Sequence, residues 1–144
     1  MRDRGLVLAG GLALLLFSAT AGWTETDIEK MLVGRWTGEV QTGAGKTFDR
    51  TLVIKSVQER YGQMVPVAEY GGQGLGAELY PVDGVIERIN GEVVLRIFTP
   101  ERRTAVLTLQ KDGKRLMGPV SGAAQVGKSN QADDSLSLRK SNER

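Results

Sequence analysis

Between Arg35 and Lys140 the chain is a succession of short stretches in which apolar and polar residues alternate, separated by turns rich in Gly, Asn and Asp. Alternation with a period of two puts successive side chains on opposite faces of a strand, so each stretch has one apolar face to bury. No helical periodicity intervenes between any two of these stretches. Parallel neighbours need long, usually helical crossovers, so the strands are expected to be antiparallel. An antiparallel meander leaves edges that invite aggregation, and rolling it into an up-and-down barrel removes them. The expected fold is therefore all-β: an antiparallel up-and-down barrel of about eight strands, with a two-sheet sandwich as the alternative.

Individual segments follow from local pattern. Glu25 to Val33 is the one helical piece, with Thr26 and Glu29 at capping-box spacing and Ile28, Met31 and Leu32 on one face. Arg35 to Gln41 alternates, with Trp36, Gly38 and Val40 sharing a side. Thr47 to Val57 places Phe48, Leu52 and Ile54 on one face, and Gln58 to Gly62 reads as a polar turn. Met64 to Gly71 can direct Ala68 and Tyr70 inward, although Pro66 has no N–H for a ladder and marks an edge or bulge. Tyr80-Pro81 with Asp83-Gly84 reads as an irregular turn. Asn90-Gly91 is the dipeptide that a type I′ turn selects, and it joins Val85 to Ile89 with Glu92 to Thr99. Thr104 to Gln110 and Arg115 to Ala123 form another hairpin, with a bulge expected at Gly118-Pro119. Ala124 to Asp133 reads as a polar loop, and Ser135 to Lys140 as the last strand.

Ahead of this body stands an apolar leader. Arg2 and Arg4 give a positive start, Leu6 to Phe17 an apolar stretch, and Ala19-Thr20-Ala21 a small-x-small pattern before Gly22. Residues 1–21 are accordingly expected to be a signal peptide, and residues 22–144 a single β-barrel domain in the periplasm or outside the cell, with no stable membrane insertion after cleavage near Ala21. The alternative is an uncleaved anchor, because Gly5 to Trp23 is nearly long enough to cross a hydrocarbon layer of about 30 Å as a helix. The chain has no cysteine, which excludes attachment through a lipidated Cys.

Composition removes several function classes. Without the leader the balance is 17 basic against 16 acidic side chains. The two signs are interleaved, so there is no basic stripe of the kind that tracks a phosphate backbone, and no nucleic-acid partner is expected. With neither His nor Cys, a Ser-His-Asp triad, a Cys-His nucleophile, a zinc site of the usual ligands and a His- or Cys-ligated haem are all out of reach. No metal and no cofactor are implied. The glycines from Gly71 to Gly76 are not followed by a helix, which a phosphate loop requires. Asp133, Asp134 and the scattered glutamates set no carboxylate separation. Catalysis by Ser, Tyr, Lys or paired carboxylates stays open as a third class, and the chain reads as a non-enzyme.

The short helix, Gly34-x-Trp36 at the head of the first strand, the antiparallel meander and Arg139 on the last strand resemble the calycin pattern of lipocalins and their relatives. The resemblance spans Thr26 to Lys140. It implies a barrel that holds a small, usually apolar ligand at its open end, with Trp36 at the closed end behind Gly34 and Arg139 laid across the indole. From the residues themselves, Arg139 falls on the face opposite Leu136 and Leu138 unless the strand bulges or ends.

Tyr70, Tyr80, Arg96 and Phe98 are the candidate ligand-binding residues, because pockets combine aromatic walls with a few orienting polar groups. Val94, Arg96 and Phe98 oppose Val93, Leu95 and Ile97 on one strand, and the aliphatic set is the better core, which turns Arg96 to solvent. The expected function is an exported soluble protein binding a small apolar or amphiphilic molecule in a calycin-like barrel. The alternative is an envelope interaction or structural module that binds a protein or glycan, with the barrel filled by its own side chains and Pro66 and Pro119 leaving an accessible strand edge.

Overall fold

The helix α1, Glu25–Leu32, starts two residues earlier in its capping logic than the sequence spacing suggested. Thr24 is the N-cap: its Oγ1 accepts from the Asp27 N–H, and the Asp27 carboxylate accepts from the Thr24 N–H. Aspartate thus does the work expected of Glu29, being short enough to reach back over one turn. Ile28 and Leu32 are buried and Met31 half-buried, as the helical spacing predicts.

The structure is a computed structural model describing residues 24–76, 78–122 and 134–142. The expected leader, residues 1–21, and the whole of the expected Ala124 to Asp133 loop lie outside the described residues. Eight strands follow α1: β1 Gly34–Gln41, β2 Thr47–Arg60, β3 Gln63–Gly72, β4 Tyr80–Ile89, β5 Glu92–Phe98, β6 Thr104–Leu109, β7 Arg115–Ser121 and β8 Asp134–Lys140. Each pairs antiparallel with the next, and β8 returns to β1, closing an up-and-down barrel. Closure is set by Trp36 opposite Lys140 and Val40 opposite Leu136.

Alternation then fixes which side chains enter the barrel. Trp36 and Val40, Leu52 and Ile54, Ala68 and Tyr70, Leu95 and Ile97, Leu107 and Leu109, and Leu136 and Leu138 are all buried and belong to one contiguous apolar cluster that also takes in Ile28 and Leu32 of α1. That single cluster, without a disulfide, carries the fold: burying each such aliphatic side chain contributes about 1.5–3 kcal/mol before chain entropy is set against it. The aliphatic set of β5 faces inward and Arg96 outward, where it pairs with Glu87 at 3.6 Å.

Four local expectations are corrected. The turn expected over Gln58 to Gly62 is shorter: β2 runs to Arg60, and Tyr61-Gly62, with φ of 53° and 78°, makes a tight turn like that at Asn90-Gly91, where φ is 52° and 80°. Tyr80-Pro81 and Asp83-Gly84 do not turn the chain but open β4, whose first residue pairs with Tyr70. Pro66 marks neither an edge nor a bulge: it is buried and pairs with Val57 of β2, and on the β4 side the ladder lacks the rungs between Met64↔Ile86 and Ala68↔Val82 without a change of register, around a residue with no N–H to donate. The bulge expected at Gly118-Pro119 is absent from the β7–β8 register, which is regular; the register shift lies instead in β2, between Ile54 and Ser56. Gly118 has a different purpose. A Cβ there would stand 1.7 Å from the Val106 carbonyl oxygen, so only glycine lets β6 and β7 coil this tightly.

Candidate functional site at the barrel mouth

The two ends of the barrel are built from different chemistry. At the end carrying α1, the indole of Trp36 is fully buried and its Nε1 donates to the Leu32 carbonyl at 2.8 Å. Lys140 Nζ lies 5.5 Å from the centre of that ring and donates to the carbonyls of Met31 at 2.7 Å and Lys30 at 3.3 Å. The last carbonyls of a helix have no partner inside it and carry its negative end, so an ammonium and an indole N–H close α1 onto the barrel as a plug. Burial lowers the Lys140 pKa. Gly34 begins β1 at φ +144°, where a side chain would strain the backbone and collide with Lys140 Cε at 2.9 Å.

The cation over the tryptophan is therefore Lys140 and not Arg139. Arg139 pairs with Thr37 on the outer face and is exposed. The strand neither bulges nor ends before Lys140, and the parity of Leu136 and Leu138 carries on to Lys140.

At the opposite end, formed by the close of β1, β3, β5 and β7 and the start of β2, β4, β6 and β8, the lumen turns polar. Arg50 shares the inward face of β2 with Leu52 and is only 6% exposed. Its Nη1 donates to the carbonyls of Asp49 at 2.8 Å and Gln73 at 2.7 Å, and its guanidinium lies 5.8 Å from the Phe48 ring centre. Nη2 is 3.7 Å from Glu101 Oε1, and Nε is buried with no hydrogen-bond partner. Tyr70, 2% exposed, stands against this guanidinium. Burial pushes its hydroxyl up to about 12, and the Glu101 carboxylate adds to the rise while Arg50 opposes it. A second pair completes the rim: Arg103 Nη1 meets Asp134 Oδ2 at 2.6 Å, and Arg103 Nη2 donates to the Val120 carbonyl at 3.1 Å.

Of the candidate ligand residues, Tyr70 lies inside at this mouth and Tyr80, its partner across β3 and β4, sits half-exposed on the rim. Arg96 and Phe98 do not join them. Both are on the outer face of β5, Phe98 at 51% exposure between Asp83 and Thr104, because the aliphatic residues take every inward position of that strand. Arg50, Glu101, Arg103 and Asp134 were missed as a group. Arg50 had a signal, since it shares the parity of Phe48, Leu52 and Ile54; the others come from a turn and a strand start that only closure brings to one place.

Other openings lie away from this mouth among the described residues. A surface groove of about 750 Å³ runs between the β4–β5 and β6–β7 turns at the plugged end, lined by Asn90, Lys111, Asp112 and Arg115 among others. The Asp112 pKa is lowered by the hydrogen bond from the Lys114 N–H. A smaller recess of about 250 Å³ follows the interrupted β3–β4 seam past Val65, Pro66, Val67 and Gly84. Among the described residues no cluster of acidic side chains could hold a metal ion, and no helix is long and apolar enough to cross a membrane. No protein-family model, curated protein or solved structure matches this chain.

Proposed function

We propose that this chain is an exported, non-enzymatic binding protein that takes a small amphiphilic molecule at the open end of its barrel, in the manner the calycin resemblance implies. The observation that carries the reading is the switch in lumen chemistry at the mouth: aliphatic side chains give way to the buried pair Arg50 and Tyr70, with Phe48, Leu75 and Tyr80 around them only partly covered. An apolar wall with a few placed polar groups is the usual composition of a small-molecule site. The inward side chains deeper in the barrel are aliphatic and buried, and the reading places the ligand near the rim.

Native mass spectrometry of protein purified from its own host, with a titration of the neutral dye N-phenyl-1-naphthylamine, tests this. A retained small-molecule adduct or saturable dye binding at one equivalent is expected; neither appearing would overturn the reading. Sequencing the amino terminus of the same sample tests export. A chain beginning at Gly22 in the envelope fraction is expected, and one retaining residues 1–21 would refute the leader.

A second reading, an envelope module that binds a protein or glycan, has the β3–β4 seam in its favour. There the ladder is interrupted around Pro66 beside a recess, and the β6–β7 ladder is interrupted in the same way around Gly118-Pro119. Crosslinking in the periplasm from Val67 tests it, and recovery of no adduct would count against it.

A further inference from the structure

The arrangement around Arg50 goes beyond a polar mouth. Two backbone carbonyls, Asp49 and Gln73, hold Nη1 and so fix the plane of the guanidinium. The opposite edge, Nε and Nη2, is the fork that fits both oxygens of a carboxylate. On that edge Nε has no hydrogen-bond partner although it is buried, and Nη2 faces Glu101 only at 3.7 Å, beyond hydrogen-bonding distance. A buried guanidinium with an unmet donor is an unfavourable end state unless something completes it. Glu101 is poorly placed to do so. It sits on the exposed turn in which Thr99 accepts from the Arg102 N–H, and Arg102 adopts φ +62°.

Resting on the small-molecule reading above, we infer that the ligand carries a single carboxylate and that this group displaces Glu101 to make a two-pronged contact with Nε and Nη2 of Arg50. The charges favour a monoanion. Arg50 and Arg103 are balanced by Glu101 and Asp134, and the Arg103–Asp134 pair is close and also tied to Gly43 N–H. Exchanging Glu101 for one carboxylate keeps that balance, whereas a dianionic phosphate adds a negative charge in a partly dry site. The Tyr70 hydroxyl, kept protonated by burial, is an available donor to the same head group. Phe48, Leu75 and Tyr80 offer the tail apolar contact at the rim.

Calorimetric titration of the full chain with decanoate, decylphosphate and decanol tests the inference, using the wild type, Glu101→Gln and Arg50→Gln. Decanoate should bind more tightly than the other two. Glu101→Gln removes the internal competitor and should tighten decanoate by about fivefold or more. Arg50→Gln should weaken it by about thirtyfold or more, leaving decanol unchanged. Should Arg50→Gln fail to fold, Glu101→Gln decides alone, because it leaves both backbone anchors of Arg50 intact. Equal binding of decanoate and decanol in every protein, or no tightening in Glu101→Gln, overturns the carboxylate inference while the small-molecule reading stands. Tighter binding of decylphosphate than decanoate overturns the monoanion choice. Binding of none of the three, together with no dye binding, overturns both.

Discussion

Lys140 and Trp36 are directly opposite across the β8–β1 closure, and the lysine ammonium lies over the indole while donating to the helix carbonyl of Met31 at 2.7 Å. One side chain thus joins the last strand, the first strand and α1. That is the point where the barrel closes in sequence and in space.

Replacing Lys140 by Met keeps most of the side-chain volume and removes the cation. It should cost about 1–2 kcal/mol, combining the ring contact with the loss of positive charge at a helix C-terminus. Arg139→Ala, one residue away but on the outer face, should change stability by less than about 0.5 kcal/mol. Urea denaturation followed by tryptophan fluorescence checks both; equal costs at the two positions would contradict the assignment of the cation to Lys140.

Tyr70 makes high-pH stability depend on one hydroxyl. Its pKa is about 12 in the folded chain, pushed up by burial, against 10.0 for an ordinary tyrosine. Between these values the folded state holds a proton that the unfolded chain has released, so stability falls as pH rises through this window. Below pH 10 the contribution is fully present. In denaturant melts at pH 8 and pH 11, the wild type should lose about 1 kcal/mol more than Tyr70→Phe. Parallel losses in the two proteins would show that Tyr70 ionises freely in the fold.

Gly118→Ala should be among the most damaging single changes in the barrel. The new methyl meets the Val106 carbonyl oxygen and carbon, at 1.7 Å and 2.8 Å, and both are backbone atoms that cannot swing away. The loss should exceed about 3 kcal/mol, at the severe end of single substitutions. Gly45→Ala is the control. It meets nothing within 4 Å, and its φ of +83° should cost only about 1 kcal/mol. Comparable midpoints for the two variants would refute the close strand approach.

The helix cap separates sequence spacing from geometry. Thr24→Ala should lower stability by about 1 kcal/mol by removing the acceptor for the Asp27 N–H, whereas Thr26→Ala should be nearly silent. The hydrogen bonds with Thr24 hold the Asp27 carboxyl below the usual carboxylate range. Thermal melts of the two variants decide between Thr24 and Thr26 as the cap.

The strand pattern was legible because each side of a strand meets one environment. Leu136 and Leu138 have to face the core, and the same parity sends Lys140 inward and Arg139 outward once the strand is known to stay regular. Parity also placed Tyr70 inside and turned Arg96 out, and it takes Phe98 with Arg96, which is why Phe98 was a poor choice for a ligand wall. Local turn chemistry was read less evenly. Asn90-Gly91 announces its positive φ angles, while Tyr61-Gly62 does not, since tyrosine seldom adopts φ of 53°.

What the amino-acid order determined by itself was the class of the fold: alternation without intervening helices admits antiparallel strands, and a chain with no disulfide needs those strands to enclose one apolar interior. Tertiary structure alone decided the site. Arg50 on β2, Tyr70 on β3, Glu101 and Arg103 in the β5–β6 turn and Asp134 on β8 are spread over much of the chain, and they meet at one rim because the strands close into a barrel. Periodicity reports which face a side chain takes, but it carries no information about height along the barrel axis. That height, set by strand register and tilt, is what gathers these groups at one rim.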